Sequence, residues 1–344
     1  MSVGIVSYGA YLPDLAITTE EIAQANGHEH APALGVKQKT VPEVDEDTIT
    51  ISTAAAVQAL TRTENRPAVQ EKMGALFIGS ESHPYAVKPS GTVVAQALGL
   101  PNQMALADLQ FACKAGTQGL QICLMYTKAQ QIEYGLAIGC DTAQSAPGDA
   151  LEYTAAAGGA AYIVGSQNLI ATLLDTTSYV TDTPDFWRRP RQSYPQHGGR
   201  FTGEPAYFHH ITQASRALLQ RTQLKPEDFQ HAVFHTPNGK FPVTVAKQLG
   251  FSRQQLNQSL IVEKVGNTYA AASLLALAHV LDHAQPGEKI FMTSYGSGAG
   301  ADSFAFEVTP EIIAFHARQE NPISHFIEQL QPITYTQYCQ RSEA

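Results

Sequence analysis

The chain has 344 residues, of which 44% are hydrophobic and 15% are charged, a balance typical of an ordered globular protein. This length exceeds a usual single core and predicts two domains or two fused half-domains. The formal net charge of −9 argues against nucleic acid and anionic membranes as partners, because both need a cationic face.

The first predicted element is the β-rich run GIVSYGAYL. The residues around it, MSVGIVSYGAYLP, lack the charged and long apolar regions of a signal peptide. No later stretch reaches the roughly 18 apolar residues of a membrane span. We therefore expect neither export by that route nor membrane insertion.

Short β-rich runs then alternate with Ala-rich helical segments. In chain order these are a helix over 50–60, ALFIGS, a helix over 92–99, ALADLQF, a long helix from about residue 114, and YGLAIGCD. Such alternation predicts a layered α/β fold with parallel strands. The longest irregular stretch, 182–207, follows in the second half, and long ordered loops of α/β enzymes often carry the functional site.

Two segments of the chain share one plan. Residues 113–141 and 267–298 each have a polar residue, a small-residue helix, a turn and a β-run ending near Gly. Upstream, the apolar runs ALFIGSE and HAVFH end in Glu81 and His235, which are as far apart in sequence as Cys113 and Asn267. This predicts a duplicated fold with an N-terminal half over 1–166 and a C-terminal half over 167–344, the latter carrying the loop insertion 182–207.

Cys113 follows the strand-like run ADLQFA and precedes a Gly/Ala-rich helix. Free N–H groups and the macrodipole at a helix start lower a cysteine pKa from about 8.5 toward neutrality, so the position suits a nucleophile. The alternative is a buried structural cysteine, as we expect for Cys123 and Cys140 within apolar stretches. No CxxC pair or Cys/His cluster has zinc-ligand spacing, so we expect no structural metal and a reduced, cytoplasmic protein.

Two residues of the second half favour the nucleophile interpretation of Cys113. His235 ends an apolar strand and is followed by TPNGK, so we expect its imidazole to project from a strand end into a cleft. A histidine placed there can donate to a carbonyl oxygen or shuttle a proton. Asn267, in VGNTYAAAS, opens a helix, and its alternative role is an N-cap.

Together these motifs resemble the ketoacyl-synthase-III-like branch of the thiolase superfamily. Within that branch, GSESHP, FACKAGT, HTPNGKFP, GGRFTGEPAYF and SYGSGAG resemble the 3-hydroxy-3-methylglutaryl-CoA synthase family of the short archaeal and bacterial type. The resemblance runs from GIVSYGAYLP to about residue 310. It implies an α/β thiolase fold, in which two βαβαβαββ-like halves form a five-layer αβαβα arrangement.

The resemblance also implies roles for residues. Cys113 would carry the acyl group as a thioester, Glu81 would act as general base and acid, and His235 would hold or protonate the acceptor carbonyl. The substrates would be acetyl-CoA and acetoacetyl-CoA in the mevalonate pathway of isoprenoid biosynthesis, with no further cofactor. Implied partners are a second copy of the chain in a homodimer, an acetoacetyl-CoA thiolase and a small OB-fold protein.

Family positions for substrate contact fall on Thr154, Thr202, Asn267 and Ser297, with Lys240 near the pantetheine or phosphates of CoA. For the two threonines the alternative is loop hydrogen bonding, and an isolated lysine is ordinarily a solvated surface residue. Two features depart from the family. Thr244 stands where a basic residue is common, which implies a weaker grip on CoA, and the tail after residue 320 departs from the basic, Tyr-rich ending of archaeal members.

Glu81 separates the preferred reaction from its alternatives. Initiating ketoacyl-ACP synthases share the Cys, His and Asn residues but decarboxylate a malonyl group, which requires no carboxylate base. An acyltransferase of a polyketide pathway is a second alternative. A non-catalytic scaffold subunit is a third, and the intact set of Cys113, Glu81, His235 and Asn267 argues against it.

Overall fold

The computed structural model describes residues 2–142, 145–189 and 191–342. The strands are β1 (Gly4–Tyr11), β2 (Leu15–Thr18), β3 (Gln38–Val41), β4 (Met73–Gly79), β5 (Ala105–Leu109), β6 (Tyr134–Asp141), β7 (Gly158–Gly165), β8 (Ala171–Val180), β9 (Phe186–Trp187), β10 (Gln196–His197), β11 (His231–Phe234), β12 (Lys289–Thr293), β13 (Gly300–Val308) and β14 (Gln331–Pro332). The α-helices are α1 (Thr19–Ala25), α2 (Thr48–Thr61), α3 (Arg66–Glu71), α4 (Ser90–Ala97), α5 (Ala115–Lys128), α6 (Phe208–Thr222), α7 (Phe241–Leu249), α8 (Val262–Val265), α9 (Ala272–Leu281), α10 (Glu311–Ala317), α11 (Ile323–Gln329) and α12 (Tyr335–Ser342).

Nine strands form one central sheet in the order β11, β12, β13, β8, β1, β7, β6, β4, β5. The expectation of parallel strands is correct only where a helix connects them. The pairs β4/β5, β4/β6 and β11/β12 run parallel, whereas β6/β7 and β12/β13 run antiparallel. A parallel pair needs a crossover connection, while β12 is joined to β13 directly by a short loop. The sheet is therefore mixed.

The strand order repeats within this sheet, as the duplicated plan predicts. The first half runs β5, β4, β6, β7, β1, and the second runs β11, β12, β13, β8 with the same relative directions, so that β4 corresponds to β11 and β6 to β12. Among the residues described, β5 has no strand as its counterpart. The halves are joined where Gly4 and Ile5 pair with Thr172 and Ala171. Because they share one sheet, the boundary at residues 166 and 167 stays a prediction.

The helices form three layers, one between the strands of the two halves and one on the outer side of each half. This confirms the predicted five-layer α/β arrangement. Helices α5 and α9 pack on each other in the middle, α5 against β4 and β6 and α9 against β1, β7, β11 and β12. Helices α2 and α4 cover the outer side of the first half, and α6 and α7 cover that of the second. All residues of α9 except His279 are buried, as expected of a helix that is apolar on every side.

The carboxyl ends of the parallel strands bring several polar residues to one edge of the sheet. Strand β4 is followed by Ser80 and Glu81, β6 ends at Asp141, and β11 is followed by His235. In open α/β sheets this edge is the usual place for a binding crevice. The long loop of 182–207 lies at the same edge, because Phe186 packs against Cys113 there.

Helix α12 packs beside α1, next to a small sheet of β14, β2 and β3. The hydroxyl of Tyr335 donates to Oε1 of Glu152 at 2.9 Å, and the buried amine of Lys39 donates to the hydroxyl of Tyr338 at 3.0 Å. Glu152 lies in the 3₁₀ turn Ala150–Tyr153, directly before Thr154. The last helix is thus bonded to the turn that carries a predicted substrate-binding residue.

None of the helices in the described part of the chain has the length and apolarity needed to cross a membrane.

Candidate active site

Cys113 lies on the turn between β5 and α5, and its side chain is buried. The preceding residue, Ala112, has φ = 41°, a left-handed conformation that costs a non-glycine residue on the order of 1 kcal/mol or more. The Sγ atom of Cys113 donates a hydrogen bond to Oε1 of Glu81 at 2.9 Å. The strained turn therefore presents the thiol directly to the candidate base.

The backbone of Glu81 is held in place by a second carboxylate, that of Asp141. Its N–H group donates to Oδ1 of Asp141 at 2.7 Å, and Nη2 of Arg188 donates to its carbonyl oxygen at 3.3 Å. Burial, followed by the charge of Asp141, raises the pKa of Glu81 to about 8, although the Cys113 thiol and Arg188 act in the opposite direction. A pKa near the working pH suits a general base.

Asp141 is a buried residue that the sequence analysis did not single out. Its Oδ1 accepts from the hydroxyls of Ser80 and Ser82, both at 2.8 Å, as well as from Glu81, while Oδ2 accepts from the N–H of Ala270 at 2.8 Å. Asp141 thus ties the Glu81 loop to the helical turn before α9. It ends the apolar run YGLAIGCD, the same pattern that indicated Glu81, so the signal was present in the sequence.

The expectation that the helix start lowers the pKa of Cys113 is wrong for this geometry. Burial, then Glu81 and Asp141, raise the pKa of the thiol well above its ordinary value. The sequence indicated the start of α5 and the carboxylate of Glu81, but not Asp141 or the burial of the thiol. The thiol is consequently protonated at rest, and it reacts only when a neighbouring group accepts its proton.

His235 follows β11, and its backbone N–H donates to the carbonyl of Thr293 at 3.0 Å. The side chain is buried, and Nδ1 has no hydrogen-bond partner within the described ranges. Burial lowers the pKa of His235 to about 3, so the imidazole is neutral near pH 7. A neutral imidazole with an unused polar atom can bind a substrate oxygen without carrying a full charge.

Asn267 joins the two halves beside the thiol. Its N–H donates to the carbonyl of Thr154 at 2.7 Å, and its Oδ1 accepts from the N–H of Tyr269 at 3.0 Å. The helix-capping alternative is therefore partly right, because Oδ1 bonds the backbone at the start of the 3₁₀ turn Tyr269–Ala271. That bond leaves the NH₂ end of the amide to face a ligand.

Two cavities meet at the Cys113–Glu81 pair. The first, of about 330 Å³, is called here the thiol-side cavity, and its walls include the rings of Phe186, Tyr207 and Phe241. Six predicted residues line it: Cys113, Thr154, Thr202, His235, Asn267 and Ser297. The second, of about 730 Å³, is called the carboxylate-side cavity and is lined by Glu81 and mostly polar residues. Phe186 and Ser297 line both, so they separate the two spaces.

The remaining predicted residues lie at or beyond the rim. Lys240 is exposed, and its N–H donates at 2.9 Å to Oδ1 of Asn238, which lines the thiol-side cavity. Thr244 is exposed one turn further on, where its hydroxyl donates to the carbonyl of Lys240. Thr154 and Thr202 also donate to the carbonyls of Leu151 and Gly199, as the loop-bonding alternative predicts.

Comparison with known proteins gives relatives over nearly the whole chain. The sequence profile for the C-terminal part of 3-oxoacyl-[acyl-carrier-protein] synthase III matches residues 219–308. The hydroxymethylglutaryl-CoA synthase of Methanobrevibacter smithii is 54% identical over 313 residues, covering 90% of each chain. That of Archaeoglobus fulgidus is 55% identical over 313 residues with the same coverage, and that of Methanopyrus kandleri is 50% identical over 98% of this chain and 96% of its own.

Solved structures share the fold. MvaS in complex with 3-hydroxy-3-methylglutaryl coenzyme A has a TM-score of 0.90 at 23% identity, covering 100% of this chain and 92% of that one. An HMG-CoA synthase complexed with CoA has a TM-score of 0.89 at 21% identity, covering 99% and 90%. These similarities confirm the predicted thiolase fold.

Proposed function

The chain belongs to the hydroxymethylglutaryl-CoA synthase family, and from this premise we propose that it condenses acetyl-CoA, acetoacetyl-CoA and water to 3-hydroxy-3-methylglutaryl-CoA and free CoA. The observation that carries the proposal is the 2.9 Å hydrogen bond from Sγ of Cys113 to Oε1 of Glu81. It places a nucleophile and a carboxylate base within one proton transfer of each other. The thiolase fold with a family-specific carboxylate favours this reaction over the alternatives.

In the first step Cys113 takes the acetyl group. The carboxylate of Glu81 accepts the thiol proton, and the sulphur attacks the thioester carbonyl of acetyl-CoA. Glu81 then passes that proton to the sulphur of the leaving CoA and becomes a carboxylate again. Ser297 lines the thiol-side cavity with Cys113 and is proposed to stabilise the oxyanion, a contribution of roughly 2.7–4 kcal/mol per donor in comparable sites. The product is an acetyl thioester on Cys113.

In the second step Glu81 removes a proton from the methyl group of that thioester. The resulting enolate attacks the ketone of acetoacetyl-CoA, and the neutral imidazole of His235 supports the developing alkoxide. Holding both thioesters in one site removes much of the entropic barrier, an effect worth roughly 7–11 kcal/mol at best. Water then hydrolyses the Cys113 thioester, which releases the product and restores the thiol.

The thiol-side cavity supports the proposed roles of Cys113 and His235. The thiol-side cavity has aromatic walls and contains Cys113 and His235, which suits an acyl-pantetheine arm. Lys240 at its rim is proposed to contact the pantetheine or phosphates of CoA. We also propose a cytoplasmic homodimer acting in the mevalonate pathway, associated with an acetoacetyl-CoA thiolase and a small OB-fold protein. These assignments rest on the family resemblance.

The decisive experiment supplies the protein with acetyl-CoA and acetoacetyl-CoA and no malonyl donor. We expect free CoA and 3-hydroxy-3-methylglutaryl-CoA, identified by chromatography against a standard. A polyketide-type acyltransferase would acetylate Cys113 but leave acetoacetyl-CoA unchanged. A decarboxylating synthase would form product only with a malonyl donor and would release carbon dioxide, and that result would overturn the proposal.

A further inference from the structure

A buried ion pair lies directly behind the nucleophile. Lys114 follows Cys113 in sequence, and its Nζ is 2.9 Å from Oδ2 of Asp302, with the two side chains 1% and 0% exposed. The same Nζ donates to Oε1 of Gln118 at 2.6 Å and lies 4.2 Å from the ring centroid of Phe111. Neither charge reaches solvent, and neither takes part in the proposed chemistry.

Both carboxylate oxygens of Asp302 accept further hydrogen bonds. Oδ1 of Asp302 accepts from the hydroxyl of Ser178 at 2.7 Å, and Oδ2 accepts from the hydroxyl of Thr117 at 3.2 Å. Ser178 belongs to β8 and Asp302 to β13, whereas Lys114 and Thr117 belong to the nucleophile turn and to α5. The pair therefore connects the first half of the chain to the second at the thiol.

The backbone of the loop over 296–300 packs closely against the turn that carries Cys113. Gly296 and Gly300 bond each other through both N–H groups at 2.8 Å, which closes the loop that carries Ser297. A Cβ atom on Gly300 would lie 2.8 Å from the ring of Phe111 and 3.0 Å from Cε of Lys114. A Cβ on Gly296 would overlap the carbonyl oxygen of Phe111. The position of Ser297 relative to Cys113 is thus set by contacts to Phe111 and Lys114.

Stability alone does not explain such a pair. Two charges lose their hydration on burial, and a buried ion pair replaced by neutral groups of similar size is often as stable or more stable. A pair that contributes little to stability is better explained by a geometric role. Ser297 and Cys113 are the two residues whose relative position decides how an acyl carbonyl is held.

We propose that the Lys114–Asp302 ion pair is a positioning device that holds the Cys113 turn in register with the Ser297 loop, so that acyl transfer to Cys113 depends on it. The inference rests on the proposed function, because it assumes acetyl transfer to that thiol. Lys114 and Asp302 act through Cys113 and Ser297, and they touch no substrate.

The test compares two reactions of the same sulphur. Acetylation by acetyl-CoA needs the carbonyl to be held by the aligned loop, whereas alkylation by iodoacetamide needs only that the thiol lose its proton and be reached by a small reagent. The variants are Lys114→Met, Asp302→Asn and the double variant, which removes both charges. Lys289→Met is the control, because it removes a lysine that pairs with Glu307 elsewhere on β12 and β13. Mass spectrometry of the proteolytic peptide that contains Cys113 measures both rates separately from Cys339, and thermal melting measures the fold.

We expect acetylation of Lys114→Met to fall on the order of 10²-fold, as for small misplacements of reacting groups, while its alkylation rate stays close to that of the wild type. The double variant should regain the melting temperature but not the acetylation rate. Wild-type acetylation in Lys114→Met, or its recovery in the double variant, would overturn the positioning role. If the single variants unfold, the double variant decides between the two outcomes. Absence of acetylation in the wild type would instead overturn the proposed function.

Discussion

Two acidic groups packed together, such as Cys113 and Glu81, hold one proton more easily than they hold two negative charges. The proton lies on the thiol in the hydrogen bond described for Sγ and Oε1, and burial raises both pKa values. Acetylation replaces the thiol by a thioester and removes that donor. The carboxylate of Glu81 then lies beside the acetyl thioester, whose methyl group it deprotonates.

The first prediction concerns the nucleophile. Incubation with acetyl-CoA should add one acetyl group to the wild-type protein, and Cys113→Ala should lose this addition while keeping its fold. Cys339→Ala, which changes a cysteine on α12, is the control and should acetylate normally. Intact-protein mass spectrometry gives the result, and acetylation that persists in Cys113→Ala would move the nucleophile to another residue.

The second prediction separates the roles of Glu81 and His235. Glu81→Gln should acetylate more slowly and then fail to condense, because the carboxylate accepts the thiol proton in the first step and removes the methyl proton in the second. His235→Ala should chiefly impair use of acetoacetyl-CoA, by about 10²- to 10⁴-fold as for a lost acid–base group. His209→Ala, an exposed histidine on α6, serves as the control. Rapid-quench measurement of both half-reactions checks the order, and a Glu81→Gln protein that condenses normally contradicts it.

The third prediction is a pH dependence. The carboxylate form of Glu81 is the base, and its pKa is raised to about 8 while the Cys113 thiol is present. Acetylation removes the thiol hydrogen bond that lowers this pKa, so condensation by acetylated enzyme should rise with pH through and beyond that value. Asp141→Asn removes a nearby negative charge, which should move the midpoint to lower pH. Single-turnover condensation measured from about pH 6 to about pH 9 tests both statements. A midpoint that moves upward in Asp141→Asn would contradict the electrostatic account.

Residue patterns located Cys113, Glu81, His235 and Asn267, because each of them ends or begins a regular element whose periodicity is visible in the sequence. The buried network behind them was not predicted. Lys114 and Asp302 come together across the two halves, and their pairing follows from strand order, which composition and spacing do not contain. Phe186 reaches the thiol from β9, a strand of two residues that is too short to show a periodicity in the sequence.

At the scale of elements, the active site depends on how closely α5 approaches β6 and the turn before α9. Gly116 lies in the first turn of α5, and a Cβ there would lie 2.6 Å from the carbonyl oxygen of Ala270 and 2.7 Å from the Cα of Gly139. Both contacts are backbone atoms, which cannot rotate away. Glycine is therefore required for this packing.

The fourth prediction follows from that contact. Gly116→Ala should lower the free energy of unfolding by about 1–3 kcal/mol, the usual cost of overpacking a core. Gly91→Ala is a matched control near the start of α4, because its Cβ would meet the side chain of Leu106, at 3.1 Å. Urea unfolding measures both variants. Equal stability of the two would show that α5 shifts away without cost.

Elements with a clear period were predicted well. The helices expected over 50–60, 92–99 and from residue 114 correspond to α2, α4 and α5. The parallel direction was predicted too broadly, because alternation of strands and helices does not reveal which strands are joined without a helix. The lack of a counterpart to β5 among the described residues of the second half was also not foreseen, since the repeat was detected only around the chemistry-bearing residues.

At the scale of the whole molecule, the last helix supports the active site from a distance. The fifth prediction is that deleting residues 335–344 raises KM for acetyl-CoA more than it lowers kcat. Glu152 would lose the Tyr335 hydroxyl, and the turn before Thr154 would become less constrained. Steady-state kinetics test this, with Arg341→Met as the control, because it removes the ion pair to Glu43 and a hydrogen bond to the carbonyl of Gln337 but leaves the Tyr335 hydroxyl in place. An unchanged KM in the truncated protein would contradict the coupling.

The bond from α12 to Glu152 has a practical consequence for anyone who handles this protein. An affinity tag or a fluorescent fusion attached after α12 would pull on the helix that braces one side of the thiol-side cavity. Immobilisation through a group attached after α12 would put force on the same hydrogen bond between Tyr335 and Glu152. Attachment before β1 avoids it, so kinetic or binding comparisons between preparations are meaningful only when the position of the tag is the same.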